Sequence, residues 1–245
     1  MTRRIRTVLA LLGAAGIAAL LLAAFTRVPV PGGPGHLYRD LVLGPALAHA
    51  TPNLVSSINF DLRALDTLGE ETIVTAAVVG TLCLLAPSAA ERRRIGSDHR
   101  PVLPAVKLAG YLLLPLTTLL GLDVVLHGHL TPGGGFQGGV VLATGWHLLY
   151  LAGDYPALSR LRPIGWCEYA EAAGTGFYVV TGLLGLGLAG SFLANFLPAG
   201  TFGSLLSTGT VPLLSLCVGA EVAAGLLVML AQFLEQGLIR ERRPS

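Results

Sequence analysis

"HGHLTPGGGFQGG", residues 127–139, separates two strongly apolar stretches, and its nature decides how the chain is built. Six of its thirteen residues are glycine, one is proline and two are histidine. Glycine and proline are the poorest helix formers, so the segment continues neither neighbour as a helix. Near membrane depth, backbone outside a helix is tolerated only where protein or water satisfies its N–H and C=O groups. The stretch is therefore expected to be a glycine-tight joint packed between two spans. Pro132 fixes φ, while Gly133, Gly134 and Gly135 allow turns closed to other residues. Gly138 and Gly139 permit close contact as the next helix starts, and Gln137 can serve its free N–H groups or a neighbouring subunit. Two uses are compatible with this pattern: a turn that closes a helical hairpin, and a loop in direct contact with a polar path.

Working outward, the chain is far too apolar for a soluble domain of its length. Of 245 residues, 53% are hydrophobic and 12% charged, and the mean hydropathy is +0.69. A membrane-spanning helix needs roughly 17–25 mostly apolar residues. Stretches 8–25, 73–90, 104–126, 138–151, 167–190 and 210–233 meet or approach this, the fourth being short. The predicted fold class is an all-α integral membrane protein of about six transmembrane helices, with the Gly-rich joint between helices 3 and 4.

Arginine placement gives an orientation, because short cytoplasmic loops carry the excess of Lys and Arg. "MTRRIR" at 1–6, "ERRRIGSDHR" at 91–100, "SRLRP" at 159–163 and "IRERRPS" at 239–245 are all basic and fall alternately along the chain. If six spans cross, these segments share one side and both termini are cytoplasmic. The first stretch begins behind Arg3, Arg4 and Arg6, as a signal peptide does. Its eighteen apolar residues exceed the usual signal core of roughly 7–15, which favours an uncleaved helix. Cys83, Cys167 and Cys217 are scattered and give neither a disulfide framework nor metal spacing. There is no phosphate-binding or nucleophile-elbow motif, and "GLLGLGLAG" lies inside a span with no preceding strand. Nothing calls for a cofactor, a metal or nucleic acid, and an enzyme's set of nucleophile, base and orienting group is missing.

Ionisable residues within spans usually face the bundle interior and mark pathways or partners. Glu221 lies eleven residues into the last stretch and is the leading candidate. A lone carboxyl at that depth holds its proton, either to exchange it with a base such as His147 or to hydrogen-bond a backbone carbonyl or Ser215. Asp123 and His127, four apart on one helical face, form with His129 a candidate relay at the outer mouth or a structural cap on the loop. In "TPNLVSSINFDLRALDTLGEE", residues 51–71, a helix would place Arg63, Asp66 and Glu70 on one face and Leu54, Ile58, Leu62 and Leu65 on another. That is either an interfacial amphipathic helix or a charged face toward a partner or an ion path. Lys107, Glu168 and Glu171 are placed near span ends and are expected to snorkel.

Two of these segments carry a resemblance. "NLVSSINFDLRALDTLGEE" is similar to the segment found in the E-type small subunit of membrane-bound hydrogenases and in the C-terminal part of the large Mrp antiporter subunit. "GHLTPGGGFQGGV" followed by an apolar span resembles the hallmark of the B subunit of Mrp-type (Mnh-type) sodium/proton antiporters. The resemblance implies two parts: residues 1–100 with two spans and the hydrogenase-E-like segment at 50–90, and residues 101–245 as a B-subunit-like part with four spans. It also implies an accessory, non-enzymatic subunit in the cell membrane. Such a subunit would have other membrane subunits and the lipid bilayer as partners, with Na+ and H+ as the transported ions. A structural subunit of a hydrogenase-like or complex-I-like redox-driven pump is the alternative. In the last span, B subunits generally carry an aspartate followed by Gly-Val, whereas this chain reads "SLCVGAEVAAG", with Glu221 followed by Val222.

Overall fold

The computed structural model describes residues 3–28, 35–85, 102–152 and 164–241. The elements are α1 (Arg3–Phe25), α2 (Leu37–Ala48), the short α3 (Leu54–Ser57), a π-helical turn (Ile58–Leu62), α4 (Ala64–Leu85), α5 (Pro104–Leu126), α6 (Gly135–Ala152), α7 (Ile164–Ala189) and α8 (Val211–Glu241). No strand occurs among the described residues. Met1–Leu41 and Val42–Ser245 are two compact units. The first holds α1, whose leucines and isoleucines are exposed, and the start of α2.

Among the described residues, five helices are long and apolar enough to cross a membrane: Arg4–Phe25, Ala64–Leu85, Pro104–Leu126, Trp166–Ala189 and Val211–Leu234. The expected fourth span, 138–151, lies within α6, which is helical but not among these five. Gln137, His147 and the four glycines at 135, 138, 139 and 145 dilute its apolar character. The second apolar helix starts at Ala64 rather than at residue 73, and residues 86–90 of that expected span lie outside the described residues. Segment 51–71 is thus not one interfacial helix. Its first half turns through α3 and the π-helical turn, and its second half is the start of α4. Arg63 makes the break (φ −134°, ψ 34°) and pairs with Asp66 in the first turn of α4, where a carboxylate complements the helix N-terminus.

Glycines record how α5 to α8 run against each other in the second unit. A Cβ on Gly110 would lie 2.7 Å from that of Ala152, and one on Gly121 would lie 2.6 Å from Leu142 Cγ. As residue numbers rise along α5 they fall along α6, so the two are antiparallel. Gly139 abuts Gly219 and Val222, whereas His147 reaches Leu226, so α6 runs parallel to α8. Gly174 abuts Cys217 and Glu221, and Gly225 faces Glu171, which makes α7 antiparallel to α8. Thr75 meets Glu221 and Gln236 donates to the Leu85 carbonyl, so α4 runs with α8. The ends of α4, α6 and α8 and the starts of α5 and α7 therefore lie together at one end, the far end. The segments 49–63, 127–134 and 190–210 meet at the other, the loop end.

At the loop end the glycine segment is fastened from outside. Asn53 caps α3 through its Oδ1, which accepts from the Val55 N–H at 3.1 Å. Its Nδ2 donates to the carbonyls of Gly128 (2.7 Å) and Thr131 (2.8 Å), and its backbone N–H donates to His129 O (3.1 Å). Gly134 adopts φ +140° and donates its N–H to Val124 O, which turns the chain into α6. Beside it, Ser215 of α8 donates to Val125 O at 3.0 Å, tying α5 to α8. Asn53→Ala is expected to lower stability by about 1–2 kcal/mol, the usual worth of a lost cap with its bonds. Asn53→Asp is expected to be no milder, because its carboxylate would face two carbonyls. Thermal unfolding of the purified protein in detergent reads both, and an unchanged midpoint for either variant would contradict the tie.

Candidate functional site

Three helices bring polar side chains to one buried seam. On α4, Thr67, Glu71, Thr75 and Val78 recur at helical spacing and share a face. On α7, Glu171, Thr175 and Tyr178 do the same, and on α8 Glu221 and Gly225 face them. Glu71 and Glu221 are both 0% exposed and Glu171 is 6% exposed. The Glu71 carboxyl lies at hydrogen-bonding range of the Glu221 carboxyl, and Glu171 is near enough to act on Glu221 electrostatically. Thr75 donates to Glu221 Oε1 at 3.3 Å, and the hydroxyls of Thr75 and Thr175 are 3.2 Å apart. Among the described residues, both oxygens of Glu71 and Oε2 of Glu221 have no hydrogen-bond donor.

The seam exists because α7 and α8 touch backbone to backbone. A Cβ on Gly174 would lie 2.7 Å from Cys217 O and 2.8 Å from Glu221 Cβ. Toward the loop end it is closed by Tyr178, fully buried, whose hydroxyl donates to Ala64 O at 2.9 Å and is within hydrogen-bonding reach of Thr67. Thr67 in turn donates to Asn59 O at 2.7 Å, a carbonyl within the π-helical turn. Phe60, Leu193, Leu214 and Val218 pack with Tyr178 as an apolar plug.

Of the residues singled out by sequence, Glu221 sits at the centre of this seam. His147 does not join it: its Nε2 donates to Leu226 O at 3.3 Å, on the α6 side of α8. Ser215 is likewise not its partner, being bonded to Val125 O. Glu70 is exposed on the other side of α4, and Asp66 is exposed and paired with Arg63. Glu171 is buried rather than snorkelling, because Gly225 lets it lie against α8, with its Cγ 3.6 Å from where a Cβ would stand. Lys107 is half-buried and Glu168 exposed. Glu71, Thr75 and Thr175 escaped the sequence reading. Their signal was the i, i+4, i+8 spacing of Thr67, Glu71 and Thr75, masked by the more prominent Arg63–Asp66–Glu70 face.

At the loop end, Asp123 and His127 form an exposed pair, with Nδ1 2.8 Å from Oδ1. Pro132 and Gln137 are exposed, while Gly134, Gly135, Gly138 and Gly139 are buried. His129 is fully buried and its ring forms no well-shaped hydrogen bond among the described residues. His49 and Asp61 form a second His–Asp pair, with Asp61 buried. No group of three or more His, Cys, Asp or Glu suited to a metal occurs among the described residues. Burial, aided by neighbouring His127, holds the His129 imidazole below its ordinary value of 6.5. The folded state thus prefers neutral His129, and the stability this contributes is present above pH 6.5 and lost as pH falls through the folded value. His129→Gln is expected to flatten the acid side of the stability curve, read as thermal midpoints between pH 5 and 8; an unaltered acid slope would remove His129 from that role.

Residues 105–228 match the family described as a domain related to the MnhB subunit of Na+/H+ antiporter. An uncharacterized protein of Methanocaldococcus jannaschii is 30% identical over 199 residues, covering 71% of this chain and 74% of that protein. A probable A/B subunit of a K+/H+ antiporter of Rhizobium meliloti is 26% identical over 204 residues, but this chain spans only 20% of its length. The B subunit of a Na+/H+ antiporter of Bacillus subtilis is 33% identical over 91 residues, 37% of this chain and 60% of that one. Among solved structures, a chain of the membrane-bound sulfane sulfur reductase, an archaeal respiratory membrane complex, superposes with a TM-score of 0.72 at 28% identity, covering 94% of this chain and 98% of that one. A chain of the Mrp complex from Dietzia sp. gives 0.71 at 26% identity, covering all of this chain and 27% of that one. With a family match over half its length and a relative aligned over most of both chains, this chain belongs to the family of domains related to the MnhB subunit of Na+/H+ antiporters.

Proposed function

We propose that this chain is an accessory, non-enzymatic subunit of a multi-subunit monovalent cation/proton antiporter in the cell membrane. It works beside other membrane subunits, with H+ and Na+ as the ions exchanged. The observation that carries this reading is Glu221, fully buried in a three-helix seam of a chain from this family. A carboxyl without a cationic partner among the described residues is costly in such surroundings, and within membranes such groups mark ion routes. Two relatives named as antiporter subunits support it. The reading as a subunit of a redox-driven pump ranks below it, since the family and those two relatives all point to antiporters.

Six spans with both termini cytoplasmic remain the proposed topology. It is supported by the directions of the helices, since the ends of α4, α6 and α8 and the starts of α5 and α7 share the far end of the bundle. On this proposal residues 127–139, with the Gly-rich joint, face the outside. Asp123, His127 and His129 lie at the outer mouth, and Asp66 and Glu70 on the exposed side of α4 meet a partner subunit. The two-part division, 1–100 and 101–245, is retained as a proposal about modules, with α4 of the first module completing the seam of the second.

Cation-driven proton movement in vesicles carrying the whole complex tests the reading. Glu221→Gln is expected to reduce exchange to background with assembly intact. Asp123→Asn combined with His127→Ala is expected to slow exchange only in part, because that pair is exposed and water can stand in for it. Full exchange by Glu221→Gln would reduce the chain to a scaffold.

A further inference from the structure

The seam holds more than one carboxyl, and the two at its centre are not equivalent. Glu221 Oε1 accepts from Thr75 at 3.3 Å, and the Thr175 hydroxyl, 3.2 Å from that of Thr75, is also within hydrogen-bonding reach of the Glu221 carboxyl. Those hydroxyls stabilise a charged Glu221. Glu71 has no such donors: both its oxygens are shielded from solvent, neither receives a hydrogen bond among the described residues, and it stands one turn before Thr75 on the face of α4 that meets Glu221. Two carboxylates cannot face each other at this range in apolar surroundings, least of all with Glu171 close by. A proton on Glu71 resolves the conflict, because the carboxylic acid becomes the missing donor and Glu221 Oε2, otherwise without a partner, becomes its acceptor.

We infer that Glu71 and Glu221 form a proton-binding site in which Glu71 carries an exchangeable proton and donates it in a hydrogen bond to Glu221. The ligand is the proton itself, and the hydroxyls of Thr75 and Thr175 set which carboxyl holds it. Its meaning for transport rests on the antiporter reading above, whereas its existence does not. Glu71 stands beside the exposed Glu70 in sequence, and only the facing of α4 tells them apart. Uptake leaves Glu71 neutral and Glu221 charged. Release of that proton would leave two facing carboxylates, so the site empties only when another cation or a structural shift separates them.

Infrared spectroscopy of the assembled complex near neutral pH tests this. A protonated-carboxyl carbonyl band that shifts in D2O is expected in the wild type. Glu71→Gln is expected to abolish it, Glu221→Gln to retain it at a shifted position, and Glu70→Gln to leave it unchanged. A band unaffected by Glu71→Gln, or one that disappears with Glu70→Gln, overturns the assignment. Should either buried variant fail to assemble, the wild-type complex still decides the matter. Dicyclohexylcarbodiimide, an apolar reagent for protonated carboxyls, is expected to label Glu71 on peptide mapping and to spare Glu221, and no adduct on Glu71 overturns the site. Loss of exchange in Glu221→Gln without a carboxyl band would retain the antiporter reading and reject the proton on Glu71. A band in a complex that exchanges normally despite Glu221→Gln would do the reverse.

Discussion

In the second unit α4, α6 and α7 pack directly against α8 and α5 packs chiefly on α6, and these helices come so close because glycines stand where backbones meet. Gly135 and Gly139 of α6 press on Ser215, Gly219 and Val222, Gly174 of α7 presses on Cys217 and Glu221, and Gly225 of α8 itself admits Val78 and Glu171. In lipid the apolar side chains of a helix gain little from facing another helix rather than acyl chains. Association therefore rests on close van der Waals packing and on hydrogen bonds between helices. Small residues at the contacts provide the first. Ser215 to Val125 O, His147 to Leu226 O and Gln236 to Leu85 O provide the second.

That closeness also creates the carboxyl seam. With α7 and α8 in backbone contact at Gly174 and Thr75 of α4 bonded to Glu221, the Glu221 carboxyl is enclosed between α4 and α7. Such a seam is unfavourable for stability when considered alone, since buried ionisable groups without full hydrogen bonding are costly. On the proposed function, local stability is given up in the seam so that a carboxyl there can change its protonation state.

The loop end has a different logic. Asn53, from the segment before α4, satisfies carbonyls of the 127–134 loop that helix geometry leaves open, and Tyr178 and Thr67 do the same for carbonyls around the π-helical turn. Irregular backbone is thereby paired with side chains rather than exposed, as a chain within a bilayer requires. The π-helical turn ends in the break at Arg63, after which α4 starts afresh with Glu71 buried in the seam and Glu70 exposed.

Composition and arginine placement alone determined that the chain is helical and membrane-bound, because hydropathy over a window the length of a bilayer is a local property of sequence. The glycine loop was legible only in part: residues 127–134 lie between α5 and α6 without helix, whereas Gly135–Gly139, expected to belong to the joint, form the first turn of α6, where the missing side chains let it approach α5 and α8. Glu221 was legible as an isolated carboxyl in an apolar run. What only the tertiary structure decided is partnership. That Glu221 meets Glu71, Thr75 and Thr175 rather than His147 or Ser215 depends on which faces of α4, α6 and α7 turn toward α8. The facing of α4 depends on the break at Arg63, and those of α6 and α7 on where glycines allow contact. Hydropathy is blind to such rotations, since a helix turned by one residue keeps the same composition and presents a different carboxyl.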